Sequence, residues 1–204
     1  MSRIPPAGDT RCLRVGLLGG SFNPAHHGHL LVARQALAHL QLDQVWLLVS
    51  PGNPLKPRHG MAPLATRLAG AKALTDGRRI IATDIERIMR TRYTIDTIRG
   101  LKRRFPRIHF VWLMGADGLA ELPRWRRWRE VVREVPIAVL PRPSYNHRAL
   151  AGRAALMLRH DRRPAREAPV LADRPAPAWV FLTAPQTDIS ATKLRLANGS
   201  SGTA

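Results

Sequence analysis

Short apolar runs alternate with longer segments of helical periodicity along most of the chain. Each run is bounded by turn residues and is rich in Val, Ile, Leu or aromatic side chains, which is typical of buried strands. The runs that predict strands are Leu13–Leu18, Val45–Ser50, Ile80–Asp84, Ile108–Met114, Ile137–Leu140 and Trp179–Leu182. The pattern therefore predicts a sheet whose strands are separated by other elements.

Between these runs, apolar positions recur at helical spacing. The predicted helices are Gly28–Leu40, Pro63–Leu74, Ile95–Phe105, Trp125–Glu134, Arg148–Arg159 and Ala191–Ala197. Pro63 suits a first helical turn, Gly77 suits a stop just past a helix, and Thr94 suits an N-cap with Asp96 inside the first turn. Alternating strands and helices predict an α/β fold, Rossmann-like and doubly wound, with a mostly parallel sheet and helices on both faces.

The length of 204 residues suits one well-formed core. We predict a single domain over residues 12–197, with loose termini at 1–11 and 198–204. The segment 159–177 is rich in proline and arginine, and its composition predicts a surface loop before the last strand.

Cysteine content and hydropathy indicate in which cellular compartment the protein is expected. Cys12 is the only cysteine, which excludes an internal disulfide and any cysteine-based zinc site. The N-terminus shows no signal-like segment, and no apolar run approaches the length needed to span a bilayer. A cytoplasmic location is the expectation.

The formal net charge of +19 is extreme, and all but four of the 33 basic residues are arginines. Such a field attracts nucleic acid, anionic membranes or small phosphorylated substrates. Arginine is also the better bidentate phosphate partner. Because the basic residues are spread along the chain, we interpret most of them as solvated surface rather than as one nucleic-acid site.

The most informative run is Gly19 to His29, where a predicted strand is followed by a predicted helix. Free N–H groups and the dipole at a helix start favour an anion, and glycines let the backbone approach it closely. His26 and His29 are three residues apart, so a helical first turn would place both on one face to donate to phosphate oxygens. The run is neither a P-loop nor a dinucleotide fingerprint. A metal-binding turn is the alternative, but no cysteine lies nearby and no acidic residue follows until Asp43.

A second run, Asp188 to Arg195, predicts a short helix capped by Ser190. The hydroxyls of Ser190 and Thr192, the free amides of the first turn and the Arg195 guanidinium suit the terminal phosphates of a nucleoside triphosphate.

Four further positions are candidates for ligand contacts. Asp117 follows a strand that ends in Gly115, at the sheet edge where such folds bind ligands, although it could simply cap a helix. Lys56 ends a turn and could reach a phosphate, and amides near Thr94 could bind a carboxylate. Trp125 lies in an interleaved Arg/Trp segment, Leu122–Arg129, which could stack on nucleic-acid bases or on a single ring.

The Gly19–His29 run resembles the signature of nucleotidyltransferases that carry two histidines around one glycine, and the C-terminal run resembles the Ile-Ser-x-Thr-x-x-Arg motif of the same superfamily. Within it, the chain is most similar to the bacterial nicotinate mononucleotide adenylyltransferases of NAD biosynthesis. The markers are Gly-Gly-Ser-Phe-Asn-Pro, Tyr-Thr-x-Asp-Thr at Tyr93–Thr97, Gly-Ala-Asp at Gly115–Asp117 and Leu-Pro-x-Trp at Leu122–Trp125. The resemblance runs from about Arg14 to Arg195, and its departures are Gly118 and the long basic segment 159–177.

This resemblance implies adenylyl transfer from ATP to nicotinate mononucleotide, giving nicotinate adenine dinucleotide and pyrophosphate. The implied catalytic residues are His26, His29, Lys56 and Arg195. The implied ATP-binding residues are Gly19, Gly20, Ser21, Phe22, His29, Gly115, Asp117, Ser190, Thr192 and Arg195. The implied nicotinate mononucleotide contacts are Lys56, Tyr93, Thr94 and Trp125. Mg²⁺ is expected to arrive with ATP rather than in a protein metal site.

Two other functions stay open from the sequence. One is a sister enzyme that adenylylates another acceptor, such as nicotinamide mononucleotide or phosphopantetheine. The other is a basic nucleic-acid-binding protein that uses the Arg/Trp segment, although specific nucleic-acid binding is not the expectation. The sequence does not decide whether the chain forms a homo-oligomer.

Overall fold

The computed structural model describes residues 4–52 and 60–184, which are built around one parallel sheet. The strands within these residues are β1 (Arg14–Gly20), β2 (Gln44–Val49), β3 (Ile80–Thr83), β4 (His109–Gly115), β5 (Ile137–Leu140), β6 (Arg162–Arg163) and β7 (Trp179–Phe181). Their order across the sheet is β3-β2-β1-β4-β5-β7-β6, and each neighbouring pair is parallel.

The strand order reverses between β1 and β4. From β1 the chain runs outward through β2 to β3, then returns to place β4 on the other side of β1. Leu17 of β1 consequently lies in register with Trp46 of β2 on one side and Trp112 of β4 on the other. In parallel sheets of this kind, ligands bind beyond the carboxyl ends of the strands at such a reversal.

Helices cover both faces of the sheet and bury it. The α-helices within the described residues are α1 (His27–His39), α2 (Leu64–Leu74), α3 (Ile85–Met89), α4 (Thr94–Arg104), α5 (Ala116–Glu121), α6 (Trp128–Glu134), α7 (Asn146–Leu150) and α8 (Arg153–Met157). One apolar cluster joins the sheet to α3, α4, α5, α6 and α8, and a second joins it to α1 and α2. The predicted doubly wound α/β fold is confirmed.

The predicted strands and several predicted helices agree with the structure to within a few residues at each end. Three helical predictions need correction. Tyr93, not Thr94, is the N-cap of α4, with Thr94 as the first helical residue. The predicted helix Trp125–Glu134 begins only at Trp128, after a separate 3-10 turn at Leu122–Arg124.

The third correction concerns the predicted helix Arg148–Arg159, which is two short helices, α7 and α8, separated at Ala151–Gly152. The Gly152 backbone is extended, which stops the α-helical hydrogen-bond ladder at that point. Helices α3 and α5 were not predicted, because each spans fewer than two turns and is too short for apolar positions to repeat at helical spacing.

The prediction of a surface loop at 159–177 is wrong. This segment contains a 3-10 turn at Arg159–Asp161, the edge strand β6 and a 3-10 helix at Ala165–Asp173. Ala168, Leu171 and Ala172 are buried in the same apolar cluster as α1 and α2. The segment covers the sheet because its apolar residues recur at i, i+3 and i+4 despite the prolines.

The N-terminal segment also contacts the fold. The Asp9 amide donates to the Arg104 carbonyl (3.1 Å) at the end of α4, and Ile4 packs against the apolar cluster of that face. The predicted C-terminal helix Ala191–Ala197 lies outside the described residues. No helix in the described part of the chain combines the length and apolar character needed to cross a membrane.

Candidate active site

The two spaced histidines form the start of α1. His26 is the N-cap, and its Nδ1 accepts from the Gly28 amide (3.1 Å). The His29 Nδ1 accepts in return from the His26 amide (3.2 Å). This reciprocal arrangement is a capping box built from imidazoles instead of the usual hydroxyl and carboxylate. The ring centroids lie 3.8 Å apart, so the predicted shared face is present.

The capping bonds fix which nitrogen of each ring carries a proton. A ring nitrogen that accepts a hydrogen bond has no hydrogen, so each neutral imidazole bears its proton on Nε2. Burial, followed by the charges of Arg142 and His27, lowers the pKa of His26 below its ordinary value. His26 is therefore a neutral ring with an Nε2–H donor at neutral pH, suited to hydrogen-bond a phosphate oxygen without being a base.

The loop before the histidines is held in a strained conformation. Phe22 has φ of +47° yet is fully buried, with its ring 4.7 Å from that of His29. A bulky residue in the left-handed region costs energy, which burial of the ring offsets here. Asn23 ties the loop to the chain beyond it, because its Nδ2 donates to the Gly60 carbonyl (3.0 Å). The tight loop thus fixes the histidines relative to the sheet.

The buried side chain of Arg67 also hydrogen-bonds to the backbone of this loop. Arg67 of α2 donates through Nη1 to the carbonyls of Ser21 (2.6 Å) and Ser50 (2.8 Å), and through Nε to that of Ala62 (2.9 Å). It joins the segments that follow β1 and β2 and has no carboxylate partner among the described residues. Three carbonyls satisfy the guanidinium in place of a counter-charge.

The predicted contacts after β4 form a second polar group near His26. Gly115 is the N-cap of α5, and Asp117 in its first turn pairs with Arg142 Nη1 at 2.6 Å. A side chain at Gly115 would collide with the Asp117 carboxylate, which explains the glycine. Arg142 follows β5 and acts electrostatically on His26, so residues from beyond β1, β4 and β5 meet at this edge of the sheet.

A cavity of about 340 Å³ opens beside the histidine loop, at the carboxyl ends of β1 to β4. The residues that line it are Gly19, Gly20, Ser21, Ser50, Glu86, Arg92, Tyr93, Thr94, Trp112, Arg124, Trp125 and Arg126. Its volume is within the range of small-molecule sites. Gly19 and Gly20 therefore line the same cavity as Tyr93, Thr94 and Trp125, the described residues that the sequence predicts to contact the pyridine substrate.

Close packing shapes the wall of the cavity. A Cβ added to Gly19 would lie 2.9 Å from the Trp112 ring, which is too close. Glycine at this position of β1 therefore leaves room for the indole of Trp112 on β4. The Trp112 ring meets that of Trp125 edge to face, with centroids 6.0 Å apart. Trp125 is thereby held at a fixed angle as part of the aromatic wall.

Helix α4 presents its N-terminal end to the cavity through Tyr93 and Thr94. The Arg126 guanidinium lies over the Tyr93 ring at 4.8 Å, and that of Arg92 lies 5.8 Å from it. Cationic groups over an aromatic ring fix its orientation and raise the local positive potential. This end of the cavity is suited to an anionic group attached to a flat ring.

Ion pairs on the outer surface lock α4 to α6, the two helices that flank this end. Arg99 of α4 donates to Glu134 (2.8 Å) and Glu130 (2.9 Å) of α6. Arg127 pairs with Glu130, and hydrogen bonds from Arg127 and then Arg99 lower the pKa of Glu130 to about 2. The network connects α4 to α6, the helix that follows the Trp125 segment.

Some predicted site residues cannot be placed. Lys56, Ser190, Thr192 and Arg195 lie outside the described residues. Sequence reasoning also missed several residues at the site: Ser50, Arg67, Glu86, Arg92, Trp112, Arg124, Arg126 and Arg142. Arg124 and Arg126 lie in the Arg/Trp segment that the sequence singled out, but no site role was predicted for them individually. The others carry no local motif, and only the fold brings them together.

Comparison with known proteins shows the family to which the chain belongs. A profile of the family described as cytidylyltransferase-like matches residues 17–197. A probable nicotinate-nucleotide adenylyltransferase of Gluconobacter oxydans (strain 621H) is 64% identical over 183 residues, covering 90% of this chain and 94% of that protein. The chain belongs to the nicotinate-nucleotide adenylyltransferases of this family. Another member, from Methylorubrum extorquens, is 52% identical over 90% of this chain and 99% of its own length.

Solved structures support the fold of this nicotinate-nucleotide adenylyltransferase family member. The nicotinic acid mononucleotide adenylyltransferase of Plasmodium falciparum, complexed with NaAD, superposes with a TM-score of 0.68 at 16% identity. The match covers 90% of this chain and 82% of that one. At this identity the likeness confirms the Rossmann-like architecture that the alternating pattern predicted.

Proposed function

We propose that the chain transfers the adenylyl group of ATP to nicotinate mononucleotide, giving nicotinate adenine dinucleotide and pyrophosphate, and that the cleft built by the histidine pair and the neighbouring cavity is where it does so. Membership of the nicotinate-nucleotide adenylyltransferases carries the reaction. The observation that favours this cleft is the continuity of Gly19–Ser21 with Tyr93 and Trp125 in one cavity.

The acceptor supplies the nucleophile. A phosphate oxygen of nicotinate mononucleotide is already anionic at neutral pH, so it needs no base to attack the α-phosphorus of ATP. One P–O bond forms to the acceptor, and the bond to the bridging oxygen of pyrophosphate breaks. The protein then contributes orientation and charge stabilisation, as in phosphoryl transfer generally.

The histidine pair is assigned to the α-phosphate. Both rings cap α1 through Nδ1, which leaves Nε2–H as the donor of each neutral imidazole. Donors fixed in advance stabilise the charge that builds on phosphate oxygens without a reorganisation cost. In this proposal Asp117 contacts the adenosine of ATP, while Lys56, Ser190, Thr192 and Arg195 serve the acceptor phosphate and the leaving pyrophosphate as the sequence motifs imply.

The cavity is assigned to the pyridine half of the acceptor. Trp125 offers an aromatic face, and the start of α4 at Tyr93–Thr94 favours an anion such as the nicotinate carboxylate. The rim arginines add positive charge at the same end.

We expect Mg²⁺ to enter this site as a companion of the nucleotide. The described residues hold no group of three or more His, Cys, Asp or Glu side chains that could cage a metal, and Asp117 is already paired with Arg142. Bound to ATP, the ion would offset part of the triphosphate charge. The described donors around the phosphates are imidazoles and backbone amides, which complement a metal-bound nucleotide.

The direct test is pyrophosphate release from ATP with a panel of acceptors: nicotinate mononucleotide, nicotinamide mononucleotide and phosphopantetheine. We expect the first to give the highest kcat/KM by a wide margin. Preference for phosphopantetheine, or no release with any acceptor, would overturn the proposal.

Trp125→Ala should weaken the binding of the pyridine substrate while leaving the KM for ATP nearly unchanged.

A further inference from the structure

Glu86 is a buried carboxyl group in the cavity wall that has no role in the proposed mechanism. It is 8% exposed and lies on α3, facing the first turn of α4. Thr97 Oγ1 donates to its Oε1 at 3.0 Å, and the Ser50 hydroxyl hydrogen-bonds to it as well. Two neutral hydroxyls are weak compensation for a buried negative charge, so the surroundings favour the protonated form.

No cation among the described residues neutralises Glu86 directly, and none of the ion pairs formed by that part of the chain includes it. The charged or titratable groups that share its cavity are Arg92, Tyr93, Arg124 and Arg126, and the three arginines are exposed at the mouth. On its own helix, Arg87 pairs instead with Asp84 (2.7 Å).

Desolvation is the largest influence on this carboxyl group, and it raises the pKa of Glu86 to about 7 against the opposing hydrogen bonds from Thr97 and Ser50. Both protonation states are therefore populated across the pH range in which the enzyme is assayed. The group would change charge inside the pocket that holds the pyridine ring.

We propose that the proton on Glu86 sets the choice between the acid and the amide of the pyridine mononucleotide. This inference rests on the proposed function. A protonated Glu86 can donate to the substrate carboxylate, whereas an ionised Glu86 repels that anion and can accept from a carboxamide N–H instead. Loss of the proton therefore weakens the binding of nicotinate mononucleotide and strengthens the binding of nicotinamide mononucleotide.

Comparing the two mononucleotides isolates this effect from other titrations. Both carry the same phosphate, so its second ionisation cancels in the ratio of their affinities. The arginines at the mouth stay charged throughout the range. Tyr93 is the other titratable group in the described wall, and Tyr93→Phe tests it separately.

The experiment measures binding of nicotinate mononucleotide and nicotinamide mononucleotide to the full chain by quenching of tryptophan fluorescence, between about pH 6 and pH 9. In the wild type, we expect the acid-to-amide affinity ratio to fall about 10- to 100-fold as pH rises. In Glu86→Gln, which keeps the shape and the hydrogen bonds, the ratio should stay constant within about threefold.

Glu121→Gln is the matched control, because it removes an exposed carboxylate outside the cavity lining, and it should keep the wild-type pH dependence. A wild-type ratio that does not change with pH overturns the inference even if Glu86→Gln fails to fold. The inference is also overturned if Glu86→Gln keeps the wild-type pH dependence of the affinity ratio. It is overturned as well if only Tyr93→Phe abolishes that pH dependence. Failure of the proposed function would look different, since neither mononucleotide would then support pyrophosphate release.

Discussion

His26 and His29 show how two residues can serve structure and chemistry together. One nitrogen of each ring caps α1, and this fixes the proton on the other nitrogen. Both histidines therefore cap the helix, and in the proposed mechanism their second nitrogens also donate to the phosphate. A serine or aspartate would cap the helix equally well but would not supply the second N–H donor.

Replacing His29 should mainly affect the chemical step. We expect His29→Ala to lower kcat about 100- to 1000-fold, because it removes a donor that acts on charge developing in the transition state. The KM for ATP should change less than about threefold. Steady-state pyrophosphate release measures both quantities.

His27→Ala is the control for that experiment, since His27 is exposed between the two motif histidines and should keep nearly full activity. His29→Asn retains a polar side chain for the cap, so its thermal unfolding separates loss of the donor from loss of the helix start. Near-normal kcat in His29→Ala would remove His29 from the mechanism.

Glu86 should also make stability depend on pH. Its pKa is about 7 in the folded protein against an ordinary 4.5, so the folded state holds the proton more tightly than the unfolded state. Stability from this group is therefore full below about pH 4.5 and is lost as pH rises through 7, by about 3 kcal/mol. Urea unfolding measures this. Between about pH 5 and pH 8, the free energy of unfolding of Glu86→Gln should rise relative to that of the wild type by most of that amount. An equal difference at both pH values would contradict the burial argument.

Among the helices and strands, the segment after α8 departs most from expectation. Proline and arginine indicated a loop, but the 3-10 helix Ala165–Asp173 covers one face of the sheet. Asp173 at its end also accepts from Arg14 (2.6 Å) and lies 2.9 Å from His109 Nδ1, so it is tied to the starts of β1 and β4. The helix is part of the core that holds those strands in place.

Truncating this helix should destabilise the whole fold. Leu171 is fully buried, and we expect Leu171→Ala to lower the free energy of unfolding by about 2–5 kcal/mol. Val170 beside it is 44% exposed, so Val170→Ala should cost less than about 0.5 kcal/mol. Denaturant unfolding of the pair distinguishes a core helix from a surface loop, because equal and small losses would restore the loop interpretation.

For the molecule as a whole, the net charge of +19 suits the anionic substrates of the proposed reaction. Its basic residues are spread out, yet three arginines converge at the mouth of the cavity. Trp128, from the same Arg/Trp segment, is buried in the core and unavailable to stack on nucleic-acid bases. The field is therefore suited to steering small phosphorylated substrates.

Salt should slow substrate capture more than chemistry. We expect kcat/KM for nicotinate mononucleotide to fall several-fold between about 20 and about 200 mM NaCl, while kcat changes little, because screening weakens long-range attraction. Nicotinamide mononucleotide carries one negative charge fewer and should show the smaller dependence. A salt effect confined to kcat would argue against steering.

The sequence by itself determined the alternation of strands and helices, the parallel sheet and the shared face of the two histidines at the start of α1. Each of these is encoded in contiguous residues, such as Gly19–His29, whose spacing and turn chemistry act locally. The family could be predicted for the same reason, since its markers are short runs in a fixed order.

Only the tertiary structure decided which isolated residues complete the site. Glu86, Arg67 and Arg142 look ordinary in the sequence, because desolvation and the proximity of distant segments are properties of the folded chain. The same limit explains the wrong prediction at 159–177. Local composition favoured a loop there, while burial of Leu171 against the sheet stabilised a helix.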